Sequence, residues 1–136
     1  MRYTICYVST AIENLEQEKL EQLLQKWKEK NNDEGFKGIL LYSEGNFFQV
    51  LEGEKRQLLE LFENIRKDKR HHSVIQILGK EIDQTGYDGY DADFVTEKNK
   101  YSREAMERYY KPLDGMDVQT KEVAKRMLDV FIETSK

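Results

Sequence analysis

A phenol can surrender an electron together with its proton, and an amide can both donate and accept a hydrogen bond. Tyr7, in the run Arg2–Val8, and Gln49, in the run Phe47–Leu51, supply one of each. Both sit among β-branched and aromatic residues at strand spacing, so each is expected to be buried. An amide buried without partners costs roughly a few kcal/mol, so Gln49 needs a polar neighbour. The Tyr7 hydroxyl is one source, and a planar heteroaromatic ligand lying over the strands is another. The plainer alternative is a Gln49 that bonds a backbone group and a Tyr7 that is only a core aromatic. Metal chemistry is not indicated: the two histidines, His71 and His72, are adjacent and leave the backbone in different directions. The single cysteine, Cys6, reads as a buried strand thiol.

Those residues have to be positioned by the surrounding elements. Arg2–Val8 alternates Tyr3, Ile5 and Tyr7 against Thr4, Cys6 and Val8, as a central strand does. Asn14 with Gln17 three residues on reads as a capping box, and Leu20, Leu23, Leu24 and Trp27 follow at helical spacing up to Lys30. Phe36–Tyr42 and Phe47–Leu51 flank Ser43-Glu44-Gly45-Asn46 as a hairpin. Leu58, Leu61, Phe62 and Ile65 mark a second helix that stops at the charged run Lys67–Arg70. Val74–Leu78 is a fourth strand and Tyr90–Phe94 a weaker fifth.

The order βαββαβ predicts an α+β, ferredoxin-like sandwich, with both helices on one face of the sheet and the first and third strands as its central pair. Ser102–Tyr110 and Asp117–Thr134 read as two C-terminal helices separated by Pro112 and Gly115. The stripe Val123, Met127, Val130 and Phe131 is expected to cover the other sheet face. Residues 1–95 form the expected core and 96–136 a helical cap or output region.

The 136 residues leave room for one domain. A net charge of -4 with interspersed lysines and glutamates argues against nucleic-acid binding. Met1-Arg2-Tyr3 starts no secretory signal, and no apolar run approaches the roughly 20 residues of a membrane span. A cytoplasmic protein off the membrane is expected.

Several blocks together resemble the BLUF family of blue-light sensors that use FAD: Tyr7-Val8-Ser9, Asn31-Asn32, Gly38–Tyr42, Gly45–Gly53 and Asp68–His71. The resemblance runs over roughly residues 2 to 95, and the block Phe47–Gly53 is its most specific part. It implies a flavin ring between the two helices, Tyr7 as electron and proton donor, and Gln49 as the amide that rearranges beside flavin N5 and C4=O. It also implies an asparagine on the ring's C4=O and N3–H edge, either Asn31 or Asn32, since Phe36-Lys37 stands where the family usually has Ile-Thr. Asp68, Arg70 and His71 are implied holders of the pyrimidine edge, ribityl chain or phosphate. FAD is the implied cofactor, with FMN or riboflavin as substitutes.

The fifth strand departs from the family. Tyr90 stands at its tryptophan position and Ala92 at its methionine position, which implies an altered lifetime of the lit state. Ser9, Tyr90 and Ala92 are the implied signal-transmitting residues, with Ser9 either reaching a strand-five group or closing a simple turn. Trp27 is expected in the core or at the flavin edge. With no length for a catalytic output module, a non-enzymatic photoreceptor is expected to signal through an unidentified partner protein or a homo-oligomer. The alternatives are a flavin-free interaction module and an acylphosphatase-like hydrolase. The latter needs a phosphate-cradling loop rich in Gly and Arg, and Ser9-Thr10-Ala11-Ile12-Glu13 is not one.

Overall fold

The apolar alternation of the first ten residues builds β1 (Arg2–Ala11) in the middle of the sheet, paired antiparallel on both sides. The computed structural model describes every residue except Thr85, Glu97, Ser135 and Lys136. The other strands are β2 (Lys37–Ser43), β3 (Asn46–Glu54), β4 (His71–Ile82) and β5 (Tyr90–Phe94), in the order β4-β1-β3-β2-β5. This is the expected α+β ferredoxin-like sheet, extended by β5, which runs parallel to β2. The helices α1 (Gln17–Asp33) and α2 (Lys55–Lys67) cover one face, burying Leu20 and Leu24 with Leu58 and Phe62 against Ile5, Leu40 and Leu51.

The opposite face is covered by the C-terminal segment. It begins as α3 (Arg103–Ala105), widens into a π turn over Met106–Tyr110, tightens to a 3-10 turn over Lys111–Gly115 and ends in α4 (Val118–Thr134). The expected helix over Ser102–Tyr110 is therefore only partly α, although Ser102 does cap it by accepting from the Ala105 N–H at 3.1 Å. The apolar stripe of α4 is also rotated from the expected one. Ala124, Leu128, Phe131 and Ile132 are buried against Phe48 and Val50, whereas Val130 is 49% exposed. Among the described residues no helix is long and apolar enough to cross a membrane.

Three local departures bear on the site. The Asn14 capping box does not form: Glu13-Asn14 is a turn, the helix begins at Gln17, and its N-cap Glu16 makes no side-chain bond. At the other end α1 continues to Asp33 and closes with Gly35 at φ +82°, the Phe36 N–H bonding Asn31 O at 2.9 Å and the Gly35 N–H bonding Asn32 O at 3.1 Å. That closure sets the two asparagines into the last turn. β4 is longer than the expected Val74–Leu78, because its exposed edge carries polar residues that mask the strand pattern while β1 pairs along nearly its whole length.

Two features deliver β5. Gly38, paired with Tyr90, has φ +141°, and a Cβ there would stand 1.9 Å from the Val50 carbonyl oxygen. Glu52, fully buried, accepts from the Gly86 N–H and the Tyr87 N–H, each at 3.0 Å, and so anchors the loop that leads into β5. Burial raises its carboxyl above the ordinary range and these two amides pull it back. Glu52→Ala leaves both donors without their acceptor and is expected to cost about 2–3 kcal/mol, read as a lowered urea midpoint at unchanged slope.

Candidate functional site

β1 and β3 pair in a register that puts Tyr7 directly opposite Gln49, and Gln49 in turn opposite Leu40 on β2. Residues opposite one another share a face, so this row lies under α1 and α2. The Gln49 Nε2 donates to the Tyr7 hydroxyl at 2.5 Å. Its Oε1 accepts from the Tyr90 hydroxyl, which reaches across from β5. Tyr7, Gln49 and Tyr90 are each 3% exposed. Burial pushes both phenols well above their ordinary pKa; at Tyr7 the Gln49 bond opposes this, and at Tyr90 a bond from Asn31 does. Both are therefore neutral at any physiological pH, and each can donate or accept.

These three residues floor a cleft of about 170 Å³, open at its mouth, between α1 and α2. Trp27 and Asn31 face it from α1; Leu61, Asn64 and Ile65 face it from α2. Phe47 closes one end, with Trp27 at 6.4 Å and His71 at 6.1 Å between ring centroids. A larger depression on the outside of α2, between Met1 and Glu63, is shallow and edged by charged residues, and has no convergent polar groups.

At the mouth Arg70 pairs with Asp68 through its guanidinium, and its backbone N–H also donates to Asp68 Oδ1 at 2.9 Å. Arg70 holds the Asp68 carboxyl below the usual carboxylate range. The same guanidinium stacks on Trp27, 5.0 Å from the ring centroid. A cation thus sits at the opening, an aromatic and aliphatic slot lies behind it, and amides of Asn31 and Gln49 line the interior. That set fits a flat heteroaromatic ring with a polar edge and an anionic side chain directed outward.

The residues expected at the site are not all used in the same way. Tyr7, Asn31, Gln49, Asp68, Arg70, His71 and Tyr90 border the cleft. Asn32 does not: its Oδ1 accepts from the Tyr90 N–H at 2.9 Å and its Nδ2 donates to the Tyr90 carbonyl at 2.7 Å, so the amide is consumed in tying α1 to β5. Of the two candidate asparagines, Asn31 is the one that faces the cleft.

His71 supplies a wall rather than a free ring nitrogen. Its Nε2 bonds the Ile65 carbonyl at 2.5 Å and its Nδ1 pairs with Ser9 Oγ at 2.8 Å. Ser9 consequently joins β1 to β4 and not to strand five, because the edge strand carrying His71 is its immediate neighbour. Ala92 packs in the core opposite Leu40, away from the cleft lining. The contact to Gln49 comes from Tyr90, whose long side chain crosses the gap that an alanine leaves.

Asn64 was not anticipated. It lies three residues after Leu61 on α2, and a polar residue at that spacing beside the apolar stripe was the available signal.

Comparison with known proteins agrees with this geometry. A family model described as "BLUF: Sensors of blue-light using FAD" matches residues 3–92. The chain is 33% identical over 84 residues to a photoactivated adenylate cyclase subunit alpha of Euglena gracilis, a match covering 62% of this chain and 8% of that protein. It is 30% identical over 78 residues to the blue light- and temperature-regulated antirepressor BluF of Escherichia coli (strain K12), covering 57% of this chain and 19% of that protein. Among solved structures, Klebsiella pneumoniae BlrP1 with FMN and cyclic diGMP superposes with a TM-score of 0.74 at 26% identity, over 98% of this chain and 35% of that one. The chain thus spans a small part of the curated relatives' length.

Proposed function

Because the chain belongs to the BLUF family, sensors of blue light that use FAD, we propose that it holds FAD noncovalently between α1 and α2 and turns light into a hydrogen-bond change at Gln49. The observation that carries this reading is the buried string of bonds Tyr7–Gln49–Tyr90 on the floor of the cleft. FAD supplies blue-light absorption and, once excited, an acceptor for one electron. Tyr7 would be the donor: it would give up one electron with its hydroxyl proton and regain both once Gln49 has turned, so that it is again a neutral phenol while the lit state lasts. Gln49 responds by exchanging donor and acceptor toward its neighbours, which an amide can do by turning about one bond. Asn31 holds the polar edge of the ring, and Arg70, released in part from Asp68, faces the ribityl or phosphate oxygens.

The change is passed on through β5. Tyr90 and Ala92 lie on its cleft side, while Asp91 and Asp93 on the other side bind the C-terminal segment. Arg108 pairs with both carboxylates, and the Tyr109 hydroxyl donates to Asp93 Oδ2 at 2.5 Å. Residues 1–95 act as the sensor and 96–136 as the output surface for a cytoplasmic partner protein or a second copy of the chain. Ser9, through His71, couples β1 to β4 in the same event.

The test is the absorption spectrum of the purified protein in the dark and under blue light. Flavin bands with a small, thermally reversible red shift are expected. Bound flavin with no shift would remove the photoreceptor reading, and a colourless protein would remove the cofactor reading.

A further inference from the structure

Gln49 is held from both sides by groups of the same chemical kind, and this has a consequence for its two orientations. An amide is asymmetric, because its oxygen only accepts and its nitrogen only donates. A neighbour that can only donate, such as an indole N–H, can serve one orientation and is left facing an N–H in the other. A phenol hydroxyl can serve both by turning its hydrogen. Here the Tyr90 hydroxyl donates to Gln49 Oε1 while Gln49 Nε2 donates to the Tyr7 hydroxyl at 2.5 Å. Turning the amide over gives the mirror arrangement, with Tyr7 donating to Oε1 and Nε2 donating to Tyr90. No heavy atom other than those of the amide needs to move, and the number of hydrogen bonds is the same.

Tyr90 is also fixed where it must be to do this. Its backbone N–H and carbonyl are both bonded to the Asn32 side chain, and its strand neighbour is Gly38, which offers no side chain to displace it. The ring is buried to 3% exposure, so water does not replace Gln49 as its partner at low cost.

We propose that Tyr90 is a positioning residue that stays hydrogen-bonded to Gln49 in both orientations of the amide, as donor in one and acceptor in the other. The inference rests on the photoreceptor reading of the same cleft. It assigns to a tyrosine of β5 a reversal of hydrogen-bond direction, a change that a donor-only side chain at that position could not make. The reversal involves rotation of one amide and two hydroxyl hydrogens, with no bond broken in the covalent frame.

Tyr90→Phe and Tyr90→Trp in the full chain test it. Phenylalanine removes one oxygen and keeps the ring; tryptophan keeps a donor and loses the acceptor. If Tyr90 accepts from Gln49 in the lit state, both variants lose that bond. Both should then return to the dark spectrum faster than the unsubstituted protein, by about fivefold, the worth of one hydrogen bond. If Tyr90 serves the dark state alone, neither variant changes the rate of return, and that result overturns the proposal.

A second readout is independent of light. The side-chain amide resonance of Gln49 in nitrogen-15 NMR of the dark protein should move in Tyr90→Phe and be largely kept in Tyr90→Trp. A resonance unmoved by Tyr90→Phe would show that Tyr90 does not hold the amide, and also overturns the proposal. Failure of the photoreceptor reading looks different. The unsubstituted protein would show no light-induced shift at all, removing the two-state half of the proposal, while the dark resonance still decides whether Tyr90 holds Gln49.

Discussion

Replacing Gln49 with leucine leaves a protein that still binds flavin and no longer shifts its absorption under blue light. Leucine is close to glutamine in size and keeps β3 filled between Tyr7 and Leu40, so the cleft and its mouth at Arg70 persist. What disappears is the amide that bonds both Tyr7 and Tyr90. Without an amide there is nothing to exchange donor for acceptor, and the spectral change that depends on that exchange is lost completely rather than reduced. The two buried hydroxyls lose the partner they share, which costs about 1–3 kcal/mol for each one left unsatisfied. The variant should therefore melt at a lower temperature while retaining its yellow colour. Absorption spectra before and after illumination, on protein whose flavin content has been measured, decide the matter, and a full red shift in Gln49→Leu would sink the mechanism.

Tyr7→Phe is expected to abolish the light response by a different route, and the difference is measurable. Phenylalanine preserves the packing against Phe62, whose ring centroid lies 5.5 Å from that of Tyr7, but it has no hydroxyl to give up a proton with an electron. Gln49 keeps its bond from Tyr90 and remains ordered. Electron donation to the excited flavin falls, so the emission of bound flavin should rise several-fold relative to Gln49→Leu, in which Tyr7 is intact. Trp27 and Tyr90 border the same cleft, and they set whatever quenching is left. Retention of the shift in Tyr7→Phe would transfer the donor role to one of those two rings, and the matching double variant with Trp27→Phe would say which.

Much of the scaffold was legible because it rests on periodicity. The period-two pattern of Arg2–Val8 and the i, i+3, i+4, i+7 spacing of Leu58 to Ile65 report burial directly, and the sheet order follows from the rule that a βαββαβ chain places its first and third strands together. The ends of elements were less legible. Asn14 and Gln17 have the composition of a capping box, yet the turn at Glu13-Asn14 takes the chain into α1 two residues later than that pattern implies. His71 and its neighbours look like a charged helix stop, but they begin a strand because β1 offers an unpaired edge long enough to bind them. In α4 the centre of the buried face falls on Ala124 and Leu128, and a small residue such as alanine is a weak signal of burial.

For the site, the sequence by itself determined which chemical groups are available: the Tyr7 phenol on the first strand, the Gln49 amide on the third, asparagines at the end of α1 and an Asp–Arg pair after α2. Strand parity and helix spacing are local properties, so they place such groups on a face. Only the tertiary structure decided which of them meet. It chose Asn31 over Asn32 because the helix closure at Gly35 turns one amide into the cleft and the other onto the backbone of Tyr90. It put Tyr90, and not Ala92, on Gln49, since contact from β5 over the intervening β2 to β3 depends on reach and register between residues 41 apart in the chain, and no local pattern encodes that distance.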